Sequence, residues 1–355
     1  MLLYRLDVPP SLPINIGDIT PVPKGPGARA WSTISNNEVI WDGTKWIAYA
    51  ASMTPQPPIV APTAPGIAIF MGGAGNLGAL PGISSILNYV GVYTFATDVM
   101  ATGANLLIAV DYATCVGNGV QAICCGGGSA ASWAINTTAK YTYATNVIVV
   151  GSNLTAIGAY GSGASNSAIG ISASSASGPN VTNLIMYASG IFVAGSTLAT
   201  GPWDGCATGI ATDAMFMGGY LGGTPTNSIV DYNYASNTNV LMTVVTSYST
   251  LNRAAGGNST MAVVVDGQSG TAELINYAAN SVVFGSSLAS TGDWMAGASS
   301  STTAIFAGGL SVNTGVPANT VSLYSYASSI VTAAATLGAY TQGTTATAPN
   351  SGVNY

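Results

Sequence analysis

The sequence predicts an all-β chain: a six-bladed β-propeller over residues 66–355, closed by its own C-terminal strand and preceded by a small β-hairpin module. Three observations carry this. A string of the form Ala-apolar-apolar-apolar-Gly-Gly recurs along the chain, an aromatic-Ala pair recurs in step with it, and each unit holds four short strand-like runs. Fixed-period repetition of four strands is the pattern of radial blades rather than of a sandwich or solenoid.

The first marker occurs as AIFMGG from Ala68, AICCGG from Ala122, AMFMGG from Ala214 and AIFAGG from Ala304, with degenerate copies AIGISA from Ala168 and AVVVDG from Ala262. The second runs through Phe95, Tyr143, Tyr187, Tyr234, Tyr277 and Tyr326, each followed by Ala. Eleven residues after each aromatic stand Leu106, Leu154, Leu198, Val245, Leu288 and Leu337. Between the markers, β-branched and aromatic runs are separated by Gly, Asn, Ser and Thr clusters and show no helical period, which reads as strands and turns.

Ring closure follows from the same alignment. The first copy begins at its second strand, near Gly66–Gly73, and the last runs on into TQGTTATAPN, Thr341–Asn350. One strand is missing at the start and one is spare at the end. Thr341–Asn350 is therefore expected to pair beside Ile67–Gly72, which removes an exposed sheet edge.

Residues 1–53 form the expected N-terminal β attachment module and 54–65 a Pro-rich linker, TPQPPIVAPTAP from Thr54. EVIWDGTKWIAYA, from Glu38, predicts a hairpin turning at Asp42-Gly43 with Trp41 and Trp46 on either side, and a further short strand precedes it. Trp31, Trp41 and Trp46 are the expected attachment residues.

The Gly-Gly strand ending followed by an aromatic strand resembles the kelch family over about residues 66–355. It departs from that pattern in carrying Leu or Val where kelch repeats usually carry Trp. The string GARAWSTISNNEVIWDGTKWIAY resembles the short β modules of bacteriophage tail-fibre and other virion appendage proteins, over about 25 residues. Together these resemblances imply a receptor-binding virion protein whose N-terminal module contacts other virion proteins while the propeller meets a host surface glycan or receptor. The implied location is the virion, assembled in the host cytoplasm, with self-association left open. A secreted or cell-surface carbohydrate-binding propeller is the alternative, and a propeller glycoside hydrolase the next.

Composition narrows the chemistry. The 355 residues include 6 Lys+Arg, 12 Asp+Glu and no His. Histidine-based nucleophile systems and His-ligated metal centres cannot be built, which excludes the copper radical oxidases among kelch-type propellers. With a net charge of −6, nucleic acid is not an expected partner. Only Lys140 and Arg253 are basic beyond residue 65, so the arginine clamp of sialidase-type propellers is missing too. No catalytic residue, cofactor or metal is expected. Asp204, Asp213, Asp231, Asp266, Glu273 and Asp293 are the carboxylates open to paired acid–base work, although most read as turn residues. No uninterrupted apolar run is long enough for a membrane-spanning helix, and MLLYRLDVPPSLPINIG at the start has none of the features of a secretory signal. Cys115, Cys124, Cys125 and Cys206 have no metal-type spacing and read as small buried side chains, with a Cys115–Cys124 or Cys115–Cys125 bridge as the lesser reading.

Counting back 8–11 residues from each Ala marker gives the expected starts of the inner strands: Tyr112, Tyr160, Trp203, Arg253 and Trp294, with Tyr340 in the closing strand. In a propeller these positions converge on one mouth of the axial channel. Aromatic rings and one Arg there suit stacking on sugar faces and bonding to hydroxyls.

Overall fold

The structure is a computed structural model. It describes residues 29–32, 37–41, 46–48, 66–76, 85–174, 180–201, 203–221, 224–247, 249, 252–288, 292–311 and 313–347. The chain divides into two compact units, 1–60 and 61–355.

In the first unit, Arg29–Ser32, Asn37–Trp41 and Trp46–Ala48 form an antiparallel three-stranded sheet in which Trp41 and Trp46 are register partners. The expected turns at Asp42-Gly43 and before Asn37, the linker 54–65 and the side chains of Trp31, Trp41 and Trp46 lie outside the described residues.

The second unit is all-β, with no helix among the described residues, and contains six four-stranded antiparallel sheets. Their innermost strands are Thr114–Gly117, Ser162–Ser165, Cys206–Gly209, Ala254–Gly257, Ala296–Ser299 and Thr345–Thr347. Each touches the next, and the last touches the first, so the six strands form a closed ring. Nearly every residue in them is Gly, Ala, Ser, Thr or Cys, because strands this close to a common axis have no room for larger side chains.

Burial falls from the axis outward. The second strands, such as Ile67–Met71 and Gln121–Cys125, are wholly buried, whereas outermost strands such as Val147–Val150 face solvent on most residues. The Ala marker lies on the second strand opposite a large third-strand residue: Ala68 faces Tyr93, Ala122 faces Tyr141, Ala214 faces Tyr232 and Ala304 faces Tyr324. The Gly-Gly marker ends that strand with positive φ at both residues, 65° and 97° at Gly126 and Gly127. Here the chain entering the following sheet crosses the first glycine, where a Cβ on Gly126 would lie 2.4 Å from the Gly158 carbonyl oxygen, and the chain entering the same sheet crosses the second. A Cβ on Gly127 would lie 2.6 Å from the Asp111 carbonyl oxygen, so only glycine fits.

The closing strand pairs as the sequence predicts. Thr345, Ala346 and Thr347 partner Met71, Phe70 and Ile69, and Tyr340–Gln342 partners Ala74–Asn76. A second closure lies at the rim, where the Asp98 carboxylate accepts from the Ala335 backbone N–H at 3.0 Å.

Two markers need correction. In the third repeat, Gly170 rather than Ala168 faces the third strand, opposite Ile185, so that copy is shifted by two. In the fourth, Val245 is 43 % exposed and the buried place belongs to Thr246. Its N–H donates to the Asn227 carbonyl as that of Leu198 does to the Asn180 carbonyl. One inserted residue therefore breaks the eleven-residue spacing in that copy. The cysteine bridge is likewise not formed: Cys115 and Cys124 are cross-strand partners, yet all four cysteines are buried free thiols.

Candidate functional site

Two residues before each innermost strand, the chain takes a left-handed turn. The residues there are Tyr112, Tyr160, Asp204, Asn252, Trp294 and Gly343, with φ values of 47°, 54°, 55°, 61°, 57° and 61°. Non-glycine residues rarely adopt this conformation, and its clustering marks a site where surrounding structure enforces it. The enforcement is visible in backbone hydrogen bonds that make five of the six links of a circle. Tyr112 N donates to Gly343 O at 2.9 Å, Tyr160 N to Tyr112 O at 2.9 Å and Asp204 N to Tyr160 O at 3.1 Å. Asn252 N continues to Asp204 O at 2.9 Å, and Gly343 N returns to Trp294 O at 3.1 Å. At five of the six positions the left-handed turn aims the N–H sideways at the preceding sheet, and these bonds hold the channel mouth.

Aromatic side chains follow this ring in an arc. Tyr112 and Tyr160 stack with centroids 4.3 Å apart and planes at 20°. Trp294 meets Tyr112 edge-on at 5.8 Å, Trp203 meets Tyr160 edge-on at 6.1 Å, and Tyr220 lies 5.4 Å beyond Trp203. Trp203 is 44 % exposed, so the outer end of the arc is open to solvent.

The structure thus brings Tyr112, Tyr160, Trp203 and Trp294 together. Arg253 also reaches the cavity but is 4 % exposed. Its Nη1 donates to Thr246 Oγ1 at 2.6 Å, and its Cδ packs on Gly218. It therefore works mainly as a packing and hydrogen-bonding residue between the fourth and fifth repeats. Tyr340 begins the strand beside Ala74–Asn76; its side chain lies outside the described residues, and Gly343 holds the ring position of the closing strand.

Inside the ring is a cavity of about 100 Å³ lined by Tyr112, Tyr160, Asp204, Asn252, Arg253 and Trp294. It continues down the axis between the innermost strands, past Cys115, Gly163, Ala207 and Gly297. Beside it, on the far side of Tyr160, a wider recess of about 380 Å³ lies between Asp111 and the Gly128–Trp133 loop. Trp133 is 65 % exposed there.

Polar groups complete the mouth. Burial pushes the Asp204 carboxyl up to about 6, and Asp293 nearby adds to the rise. The Trp294 indole N–H opposes it without reaching hydrogen-bonding geometry. Asp111 and Asp293 each stand one residue before a ring position, and burial raises both. Their backbones are fixed by paired bonds, Asp111 with Gly128 and Asp293 with Leu310. Among the described residues, no group of His, Cys, Asp and Glu is arranged to hold a metal ion.

The sequence reading missed Asp111, Asn252, Tyr220 and Trp133 as site residues, and Asp204 as a ring member. The signal was present: each non-glycine ring residue stands ten positions before the small second-strand residue, Ala122, Gly170, Ala214, Ala262 or Ala304.

No family model matches the chain, and no curated protein matches it. Among solved structures, that of YjhT, a β-propeller-type protein, superposes with a TM-score of 0.59 at 11 % identity. The match covers 75 % of this chain and 97 % of that one. At that identity the likeness establishes the fold only. A β-propeller-type architecture is what the six sheets and this likeness share.

Proposed function

We propose that the chain is a non-enzymatic adhesion protein that binds saccharide at the channel mouth, displayed on a bacteriophage particle as a tail fibre or appendage. The observation that carries the binding reading is the arc from Trp294 through Tyr112, Tyr160 and Trp203 to Tyr220. Aromatic rings, Trp203 exposed and the others half-buried, beside a cavity with fixed polar groups suit the apolar faces and hydroxyls of a sugar. The particle reading rests on the DGTKW hairpin string, whose Trp41 and Trp46 are cross-strand partners, and on the near absence of basic residues in the second unit. In this reading the N-terminal module attaches to virion proteins.

A glycan array probed with the full chain, alongside a Trp203→Ala variant, tests binding. Hits that Trp203→Ala loses at unchanged melting temperature support it; an empty array contradicts it. Co-purification at fixed copy number with intact particles tests the location.

One observation favours glycoside hydrolysis as a second reading: Asp204 titrates at about 6 with Asp293 beside it, as a proton-donating carboxyl with a neighbouring carboxylate would. Release of reducing ends from array hits, abolished by Asp204→Asn, would establish it.

A further inference from the structure

The polar inventory of the mouth discriminates between classes of saccharide, an inference that rests on the binding reading above. Three carboxyls, Asp111, Asp204 and Asp293, surround the ring. The basic residue that reaches the cavity, Arg253, is buried against Gly218 and Thr246, so the charge presented to a ligand is negative.

Unsatisfied atoms point the same way. Asn252, 9 % exposed and lining the cavity, turns its amide to Asp293, and its Oδ1 is buried with no hydrogen bond. Asp293 Oδ1 is buried without one as well. Gln342 gives its side chain to the Tyr112 hydroxyl and likewise leaves Oε1 unpartnered. Against these three acceptors stand one unpartnered donor, Trp294 Nε1, and one unpartnered hydroxyl that can donate or accept, Thr344 Oγ1. Buried polar atoms without partners are costly, and a ligand that supplies the missing partners recovers that cost. The group required brings more donors than acceptors. Hydroxyls, amide N–H groups and an ammonium meet that demand. A carboxylate, sulfate or phosphate sets acceptors against acceptors and like charge against like charge.

We propose that the mouth selects neutral and amino-bearing saccharides and rejects acidic ones, by an excess of buried acceptors and carboxylates over donors. The neutral or cationic exocyclic arm enters the cavity of about 100 Å³ while the sugar ring lies across Tyr160 and Trp203.

The test is an array carrying neutral, amino-bearing and acidic saccharides of matched length, probed with the full chain and with Asp204→Asn and Tyr160→Asn variants. Asparagine tolerates the left-handed backbone at both positions. The expected hits are neutral and amino-bearing, all lost in Tyr160→Asn, with amino-bearing hits weakened at least tenfold in Asp204→Asn. Acidic hits of equal strength that disappear in Tyr160→Asn overturn the selectivity and leave the binding site standing. Hits indifferent to Tyr160→Asn, or none at all, overturn the site and the selectivity together.

Discussion

Tyr160 stacks on Tyr112 at 4.3 Å while its backbone N–H donates to the Tyr112 carbonyl at 2.9 Å. One pair of equivalent positions in successive repeats is thus joined twice, by backbone and by ring. The backbone circle fixes where the rings stand, and the rings form the surface offered to a ligand.

The circle predicts sensitivity at its one glycine. A Cβ on Gly343 would lie 2.8 Å from Cδ1 and Cε1 of Tyr112, at a φ of 61°. Gly343→Ala should cost about 1–3 kcal/mol and tilt Tyr112 off Tyr160. Thermal unfolding should show a loss of several degrees, and the near-ultraviolet circular dichroism of the stacked pair should weaken.

The closing strand predicts a cooperative loss. Removing residues 339–355 takes away the partners of Ile69, Phe70 and Met71 and exposes a sheet edge. At about 1 kcal/mol for each of three lost ladder bonds, the melting temperature should fall by roughly 6–12 °C, with aggregation on heating. An unchanged melting curve would contradict the latch.

Asp204 predicts a pH dependence of stability. Its folded value of about 6 lies above the unfolded value of 3.8, so the folded chain holds the proton more tightly. That contribution, on the order of 3 kcal/mol at most, is complete below about pH 3.8 and is lost as pH rises through 6. Burial raises Asp111, Asp231 and Asp293 as well, and each acts in the same direction. Asp204→Asn should flatten the decline in melting temperature between pH 4 and 7.5 and raise it at pH 7.5.

The cysteines predict silence toward thiol reagents. Burial pushes Cys124 and Cys206 up to about 12 and raises Cys115 and Cys125 too. A thiol-reactive dye should label none of them in the native chain and all four after denaturation. Fewer than four in denaturant would indicate a bridge.

Much of this fold was legible because its markers answer to local sterics. Ala68 must be small to face Tyr93, and Gly126-Gly127 must be glycine to let Gly158 and Asp111 pass, so both kinds of position repeat visibly. The latch was legible as a count of one strand short and one over. The site was legible only in outline. A window of 8–11 residues admits Trp203 and Arg253, whereas the backbone circle selects their neighbours Asp204 and Asn252 at an offset of ten. The degenerate Ala168 copy hid that offset, since its structural equivalent is Gly170. Thr246 escaped for a similar reason: one inserted residue moved it off the Leu register, and its bond to Arg253 is a contact no spacing displays. Trp133 belongs to a loop between strands, where repeat arithmetic carries no information.

The claim that the channel mouth binds saccharide through its aromatic arc is tested most directly by isothermal titration of the strongest array hit into the wild-type chain and the Tyr112→Asn/Tyr160→Asn double variant. Asparagine keeps the left-handed backbone and removes only the rings. An affinity loss of about tenfold or more at near-unchanged melting temperature is the predicted result. Equal affinity for the two proteins would contradict it.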